Sequence, residues 1–161
     1  MLSHDTSGGH YGILPLKIDP IELSVPKSVV RRRPGSVVHR RSGLTHDDIA
    51  EHEGIPVTSL VLTFVDLAAR LERGQLEAAI NEADRRDLID PDRLRSLVDG
   101  MTPRPGSRNL RETLDRRTFT LTDSELERRF LAIVRGAGLG LPETGCRVNG
   151  FRTDFTGRNW D

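Results

Sequence analysis

Cysteine is almost missing from this chain. Cys146 is the only one in 161 residues, so no intrachain disulfide can form. A lone thiol fits a reducing compartment, and a cytoplasmic location is expected. No apolar run reaches the length of a membrane span, and no charged-then-apolar leader opens the chain. Aromatic residues make up 4% and hydrophobic residues 35%, lean material for a core. Lysine is scarce too. Lys17 and Lys27 are the only two, and every other basic residue is arginine. Arginine favours planar, bidentate phosphate contacts, but codon bias in a GC-rich genome produces the same excess. The net charge is zero, which removes any global electrostatic argument for nucleic acid or membrane binding.

Several familiar sites are absent as well. His4, His10, His39, His46 and His52 fall in no His-x-x-x-His or Cys/His array, so the pattern does not read as a zinc site. Cys146 sits in a polar stretch with no histidine near it in sequence, and reads as an ordinary thiol. Gly136, Gly138 and Gly140 follow a predicted helix rather than a strand, which is the wrong setting for a phosphate-cradling loop.

What is present is uneven charge and clear periodicity. Residues 1–45 carry 7 Lys+Arg against 3 Asp+Glu, residues 46–90 carry 4 against 11, and residues 91–161 carry 13 against 10. An acidic middle therefore separates two basic ends. Residues 1–11 are rich in Ser, Gly and His and read as a frayed start. Residues 21–25 and 36–40 alternate with period two, which predicts two strands joined as a hairpin through Arg31, Arg32, Arg33, Pro34 and Gly35. Asp47, Asp48 and Ile49 fit a short strand or a helical turn equally well. Residues 55–57 read as extended.

Helical patterns follow. Residues 59–71 are apolar on most sides, with Ser59 as the cap, which predicts a buried helix. Residues 71–88 continue after a break at Arg73 and Gly74, with Leu76, Ala79, Ile80 and Ala83 facing inward. Asp90 and Pro91 are an N-cap and a first helical position, and that helix ends at Gly100. Residues 102–107 read as a Pro/Gly linker and 110–117 as a short basic helix. The pattern predicts an α+β protein: N-terminal strands and a hairpin, a central helical segment, then a helix–strand unit.

That last unit, at 122–155, carries the chemistry. Thr122 and Glu125 have capping-box spacing, and Leu126, Phe130, Val134 and Ala137 give the helix one apolar face. Val148, Phe151 and Phe155 mark a strand, with Asp154 near its end. A glutamate on a helix and an aspartate on the next strand are how half of a metal-dependent nuclease site is laid out, because converging carboxylates hold the divalent cation that activates water. Both also have plain structural roles, Glu125 in the capping box and Asp154 at a solvated strand end. Arg31, Arg32, Arg33, Arg40 and Arg41 form a candidate nucleic-acid contact surface, against the alternative of a solvated basic turn. No aromatics interleave with them, which disfavours base stacking.

The run Thr-Asp-Ser-Glu-Leu-Glu-Arg-Arg-Phe, followed by Val-Asn-Gly-Phe-Arg-Thr-Asp-Phe, resembles the start of the Vsr-like domain of the PD-(D/E)xK endonuclease class. Proteins carrying that domain resemble AbiEi-type antitoxins of type IV toxin–antitoxin systems. The resemblance extends upstream through Leu-Ser-His at 2–4, Val-His-Arg-Arg at 38–41, Gly-Ile-Pro-Val-Thr-Ser at 54–59, Asp-Leu-Ala at 66–68 and Asn-Glu-Ala-Asp at 81–84. It implies an AbiEi-antitoxin-like α+β region at 1–101, a linker and short helix at 102–120, and a partial nuclease-like domain at 121–161. Family members usually have a winged helix-turn-helix before Leu-Ser-His and a Glu-x-Asp-Gly strand after Asp-Phe. Neither stretch is in this sequence, so a truncated, non-catalytic protein is expected. Its expected role is regulation or partner binding, with DNA or a cognate toxin as partner and no cofactor. The alternatives are an endonuclease that completes its Mg2+ site at Glu125 and Asp154 by oligomerisation, and a gene fragment without function.

Overall fold

A computed structural model of the chain describes residues 1–16, 19–29, 34–115, 125–148 and 151–156. The fold is α+β, as the pattern predicts, and divides into two compact units, Met1–Asp115 and Arg116–Asp161.

The first unit is built on residues that read as frayed. Leu2 bridges to Leu23 on one side and to Val57 on the other. Its N–H donates to the Pro56 carbonyl at 2.8 Å and its carbonyl accepts from Thr58 at 2.8 Å, while Ser3 donates to the Glu22 carbonyl at 3.0 Å. The helix α1 (His4–His10) follows at once, with Ser3, His4, Thr6, Ser7 and Gly8 buried. Gly8 and Gly9 are poor helix formers, about 1 kcal/mol worse than alanine each. Packing overrides that cost. A Cβ on Gly8 would sit 3.0 Å from Leu14 and 3.3 Å from Leu67, and one on Gly9 would sit 2.8 Å from the Leu16 Cα. Only glycine lets α1 approach this closely.

The strands β1 (Ile21–Pro26) and β2 (Ser36–Arg41) form where the alternation predicts. They pair in parallel, from Ile21 beside Ser36 to Pro26 beside Arg41, and not as the predicted hairpin. The side chains explain the correction. Parallel register puts His39 and Arg41 on the face of Glu22 and Ser24, where they bond to one another. The hairpin lies further on. A single 3-10 turn at His46–Asp48 leads into β3 (Ile49–His52), which pairs antiparallel with β4 (Ile55–Thr58). Glu53 and Gly54 between them both have positive φ, 49° and 75°, as a two-residue hairpin turn requires. Through Leu2 the rows run β2–β1–Leu2–β4–β3.

Four helices complete the unit: α2 (Leu60–Ala68), α3 (Arg73–Arg85), α4 (Pro91–Gly100) and α5 (Ser107–Thr113). Ser59 caps α2 by accepting from the Leu62 N–H, and Asp90 caps α4 by accepting from Arg93 at 2.8 Å. Phe64, Leu62, Leu67, Leu76, Ile80, Leu94, Val98 and Leu110 are fully buried, each contributing roughly 1.5–3 kcal/mol of transfer free energy. Residues 102–106 belong to this unit. Gly106 has φ 90°, and an added Cβ would overlap the Val65 carbonyl oxygen of α2. Asn109 then donates to the Ala68 carbonyl at 3.1 Å, which fixes α5 on the end of α2.

In the second unit, α6 (Glu125–Gly136) precedes an antiparallel pair, β5 (Glu143–Val148) and β6 (Phe151–Thr156). Leu131 and Val134 are buried. Leu139 donates to the Val134 carbonyl, and Gly138 at φ 68° closes the helix as a left-handed stop. The predicted cap Thr122 lies outside the described residues. The single strand expected around Val148 is a pair of strands, with Cys146 in the first.

Two glycines separate packing from propensity. Gly106→Ala should lower stability by about 3 kcal/mol or more, since it combines positive φ with a backbone overlap. Gly74→Ala, in α3 with open space around it, should leave stability unchanged or raise it by up to about 1 kcal/mol. Urea unfolding of both variants checks the pair.

Candidate functional site

Period-two alternation gives the sheet one polar face, formed by Ser3, Glu22, Ser24, His39, Arg41 and Thr58. That face meets α1 and α2. At one end the hydroxyls of Ser7, Thr58 and Thr63 bond to each other at 2.8–3.2 Å, and the Tyr11 hydroxyl donates to the Thr58 carbonyl at 3.0 Å. The other end is charged. Glu22 Oε1 accepts from Arg70 at 2.7 Å and lies 3.0 Å from His39 Nε2, while its Oε2 accepts from the Asp5 N–H at 3.1 Å. Arg41 donates to the Asp66 carboxylate, to Ser24 Oγ at 2.8 Å and to His4 Nε2 at 3.3 Å.

His4 stands in the middle of this cluster, at φ 53°. Its ring stacks on His39 with centroids 3.8 Å apart and planes 30° apart. Because Arg41 donates to Nε2, Nδ1 carries the proton and faces Ser3 Oγ at 3.0 Å. Burial, reinforced by the charges of His39, Arg70 and Arg41, pushes the His4 pKa down to about 3, so the ring is neutral at physiological pH. Burial pulls Glu22 the other way, but hydrogen bonds from Arg70 and His39 outweigh it and hold the carboxyl below its ordinary range. At Asp66 burial wins over the Arg41 bond, and the pKa is raised.

His4, Glu22 and His39 offer donor atoms within 4.8 Å of one another, a set that suits an imidazole-binding transition metal. The arrangement does not fit an ion. Guanidinium N–H groups already occupy His4 Nε2 and Glu22 Oε1. The cluster is a mutually neutralised ion network that ties β1 and β2 to α1 and α2. Sequence reasoning missed it, because residues 4, 22, 39, 41, 66 and 70 share no motif spacing. The available signal was the polar phase of the two strands.

The sequence-predicted residues fall in different places. Glu125 opens α6 and Asp154 lies in β6, but the side chains of both are outside the described residues. Arg31, Arg32 and Arg33 are also outside them. Arg40 is exposed on β2. Arg41, its neighbour in the predicted contact surface, turns inward and is committed to Asp66 and Ser24.

A second ion pair sits beside a groove of about 670 Å3 lined by Val61, Leu97, Met101 and the 3-10 turn. Arg104 grips buried Asp48 with two bonds of 2.8 and 2.9 Å, and Thr45 adds its N–H at 2.8 Å. Burial disfavours the Asp48 charge, but Arg104 and Thr45 outweigh it and lower the pKa from the ordinary 3.8. A lowered carboxyl pKa stabilises the fold above the unfolded value, and that contribution fades as pH falls through the folded one. Arg104→Met should therefore cost about 3 kcal/mol at pH 7. The difference from wild type should shrink below pH 3.8, as melting temperatures measured across acid pH will show.

A family model described as the AbiEi antitoxin C-terminal domain matches residues 6–116 of the chain. No curated protein and no solved structure matches it. The matched span takes in β1 to β4 and α2 to α5, with Glu22, His39, Arg41, Asp66 and Arg70 of the charged cluster, and begins just after Leu2 and His4.

Proposed function

The chain belongs to the AbiEi antitoxin C-terminal domain family, and from that premise we propose that it is a non-catalytic regulatory component of a toxin–antitoxin or defence system, acting through a cognate toxin or regulatory DNA. One observation carries the reading: the family match at 6–116 is nearly coextensive with the compact unit Met1–Asp115. A compact folded unit of antitoxin type is therefore the larger part of the chain. Its buried charges support a scaffold role, since Glu22, Asp48 and Asp66 are all engaged by arginine. The Vsr-like resemblance of 122–155 fits the same reading, with the second unit as a nuclease-derived segment that carries two of the acidic residues such a site needs.

The test is co-expression with a candidate toxin gene taken from the neighbourhood of this one. Growth arrest by the toxin should be relieved by this protein. Unrelieved arrest, with no shift of the operon's promoter DNA by the purified chain, would overturn the proposal. In the same preparation, Mg2+- or Mn2+-dependent nicking of plasmid DNA should be absent. Nicking that disappears in Glu125→Gln would instead establish the endonuclease.

A further inference from the structure

The first ten residues are held to the first unit mainly by polar contacts. Met1 and Leu2 are the only apolar side chains among them. The Ser24 N–H donates to the Met1 carbonyl at 3.0 Å and the Thr58 N–H to the Leu2 carbonyl at 2.8 Å. The Glu22 N–H donates to Thr6 Oγ1 at 2.9 Å. An element bound in this way opens at a lower free energy than the apolar helical layer beyond it.

His4 stands at the centre of these contacts and is only 8% exposed. Charged groups reach it from each element packed around it: Asp5 beside it, Glu22 on β1, His39 and Arg41 on β2, Asp66 on α2 and Arg70 just past the end of α2. Three carboxylates and two guanidinium groups leave a place for one imidazolium. His39 is the better placed of the two rings, because its Nε2 meets the Glu22 carboxylate at 3.0 Å. His4 is badly placed. Its Nε2 accepts from Arg41 at 3.3 Å, so a proton there would set two N–H groups against each other. That proton would also charge a ring stacked 3.8 Å from His39.

We propose that residues 1–10 form an acid-sensitive latch: proton uptake at His4 opens the segment from the sheet and from α2, while the helical layer of α2 to α5 stays folded. Docking weakens as pH falls, because only the released ring takes a proton readily. Released, the ring has the ordinary value of 6.5, and docked it has about 3, so the open form binds more protons across that window. By this linkage, lowering the pH from about 7.5 to about 5 favours opening about thirtyfold through His4 alone. Glu22, whose pKa is lowered, adds to the loss of docking in acid. Asp66, whose pKa is raised, opposes it. The His4 contribution is therefore read as a difference from a variant without the imidazole.

Hydrogen exchange on the full chain, read by NMR as protection factors, tests this. The amides of Ser7, Ser24 and Thr58 donate to carbonyls of the segment, while those of Leu94 and Leu110 report on the helices. The first group should be less protected than the second at every pH, and its protection should fall between about pH 7.5 and about pH 5. His4→Gln keeps an acceptor for Arg41 and removes the titration, so its fall in protection should be about thirtyfold smaller than that of wild type. Equal protection in the two groups would mean that the unit opens only as a whole, and would overturn the proposal. So would a fall of the same size in His4→Gln. If that variant does not fold, the wild-type ring decides: the His4 ring signals of the docked form should not titrate across this range. A midpoint at the ordinary 6.5 with Ser24 and Thr58 still protected would overturn the latch.

Discussion

Leu2 holds the first unit together. The strands on either side of it come in separate pairs, one parallel and one antiparallel, and two-stranded ribbons are marginal by themselves in water. Inserted between Leu23 and Val57, Leu2 turns them into one sheet with a middle row. The same short segment sets the start of α1, because Ser3 and His4 are pinned by the sheet on one side and by Asp66 and Arg41 on the other. Once α1 is placed, Gly8 and Gly9 bring it against Leu14, Leu16 and Leu67. A stretch with little helix propensity and almost no apolar surface thus becomes the keystone through hydrogen bonds.

The interface between sheet and helices is unusual in being charged. Taking carboxylates and guanidinium groups out of water costs several kcal/mol per ion, and pairing them returns about as much. Such a network adds little net stability over an apolar core. What it adds is register. Glu22, His39 and Arg41 satisfy one another only when β1 and β2 run in parallel with this alignment. A slip by one residue would turn them to the far face, leaving buried Asp66 without Arg41 and Arg70 without Glu22. The helices beyond supply the ordinary hydrophobic stability, in the layer of Phe64, Leu67, Leu76, Ile80 and Leu94.

This division of labour bears on the antitoxin family to which the chain belongs. The conspicuous titratable cluster lies inside the module, where it organises the fold. Outward, the module presents a groove beside α4 lined by Val61, Leu97 and Met101.

Local features were legible in the residues themselves. Ser59 and Asp90 cap helices because their side chains reach the next turn whatever surrounds them, and the inward stripe of Leu76, Ala79, Ile80 and Ala83 follows from helical period alone. The α+β class, the two alternating strands, the stop at Gly138 and the AbiEi likeness come from the same local information. Contacts between distant segments were not legible. Whether β1 and β2 pair in parallel depends on His4, Asp66 and Arg70, far away in the chain. Whether Gly8 and Gly9 end a helix or permit one depends on Leu14, Leu16 and Leu67. Arg40 and Arg41 look alike in sequence, yet only the tertiary structure turns one to solvent and the other to Asp66. The sequence alone determined the central helices and the two alternating strands, because hydrogen bonding within a turn and side-chain period are local. Tertiary structure decided their pairing and the fate of every buried charge, because an ion leaves water only where an opposite charge, brought by another segment, is waiting.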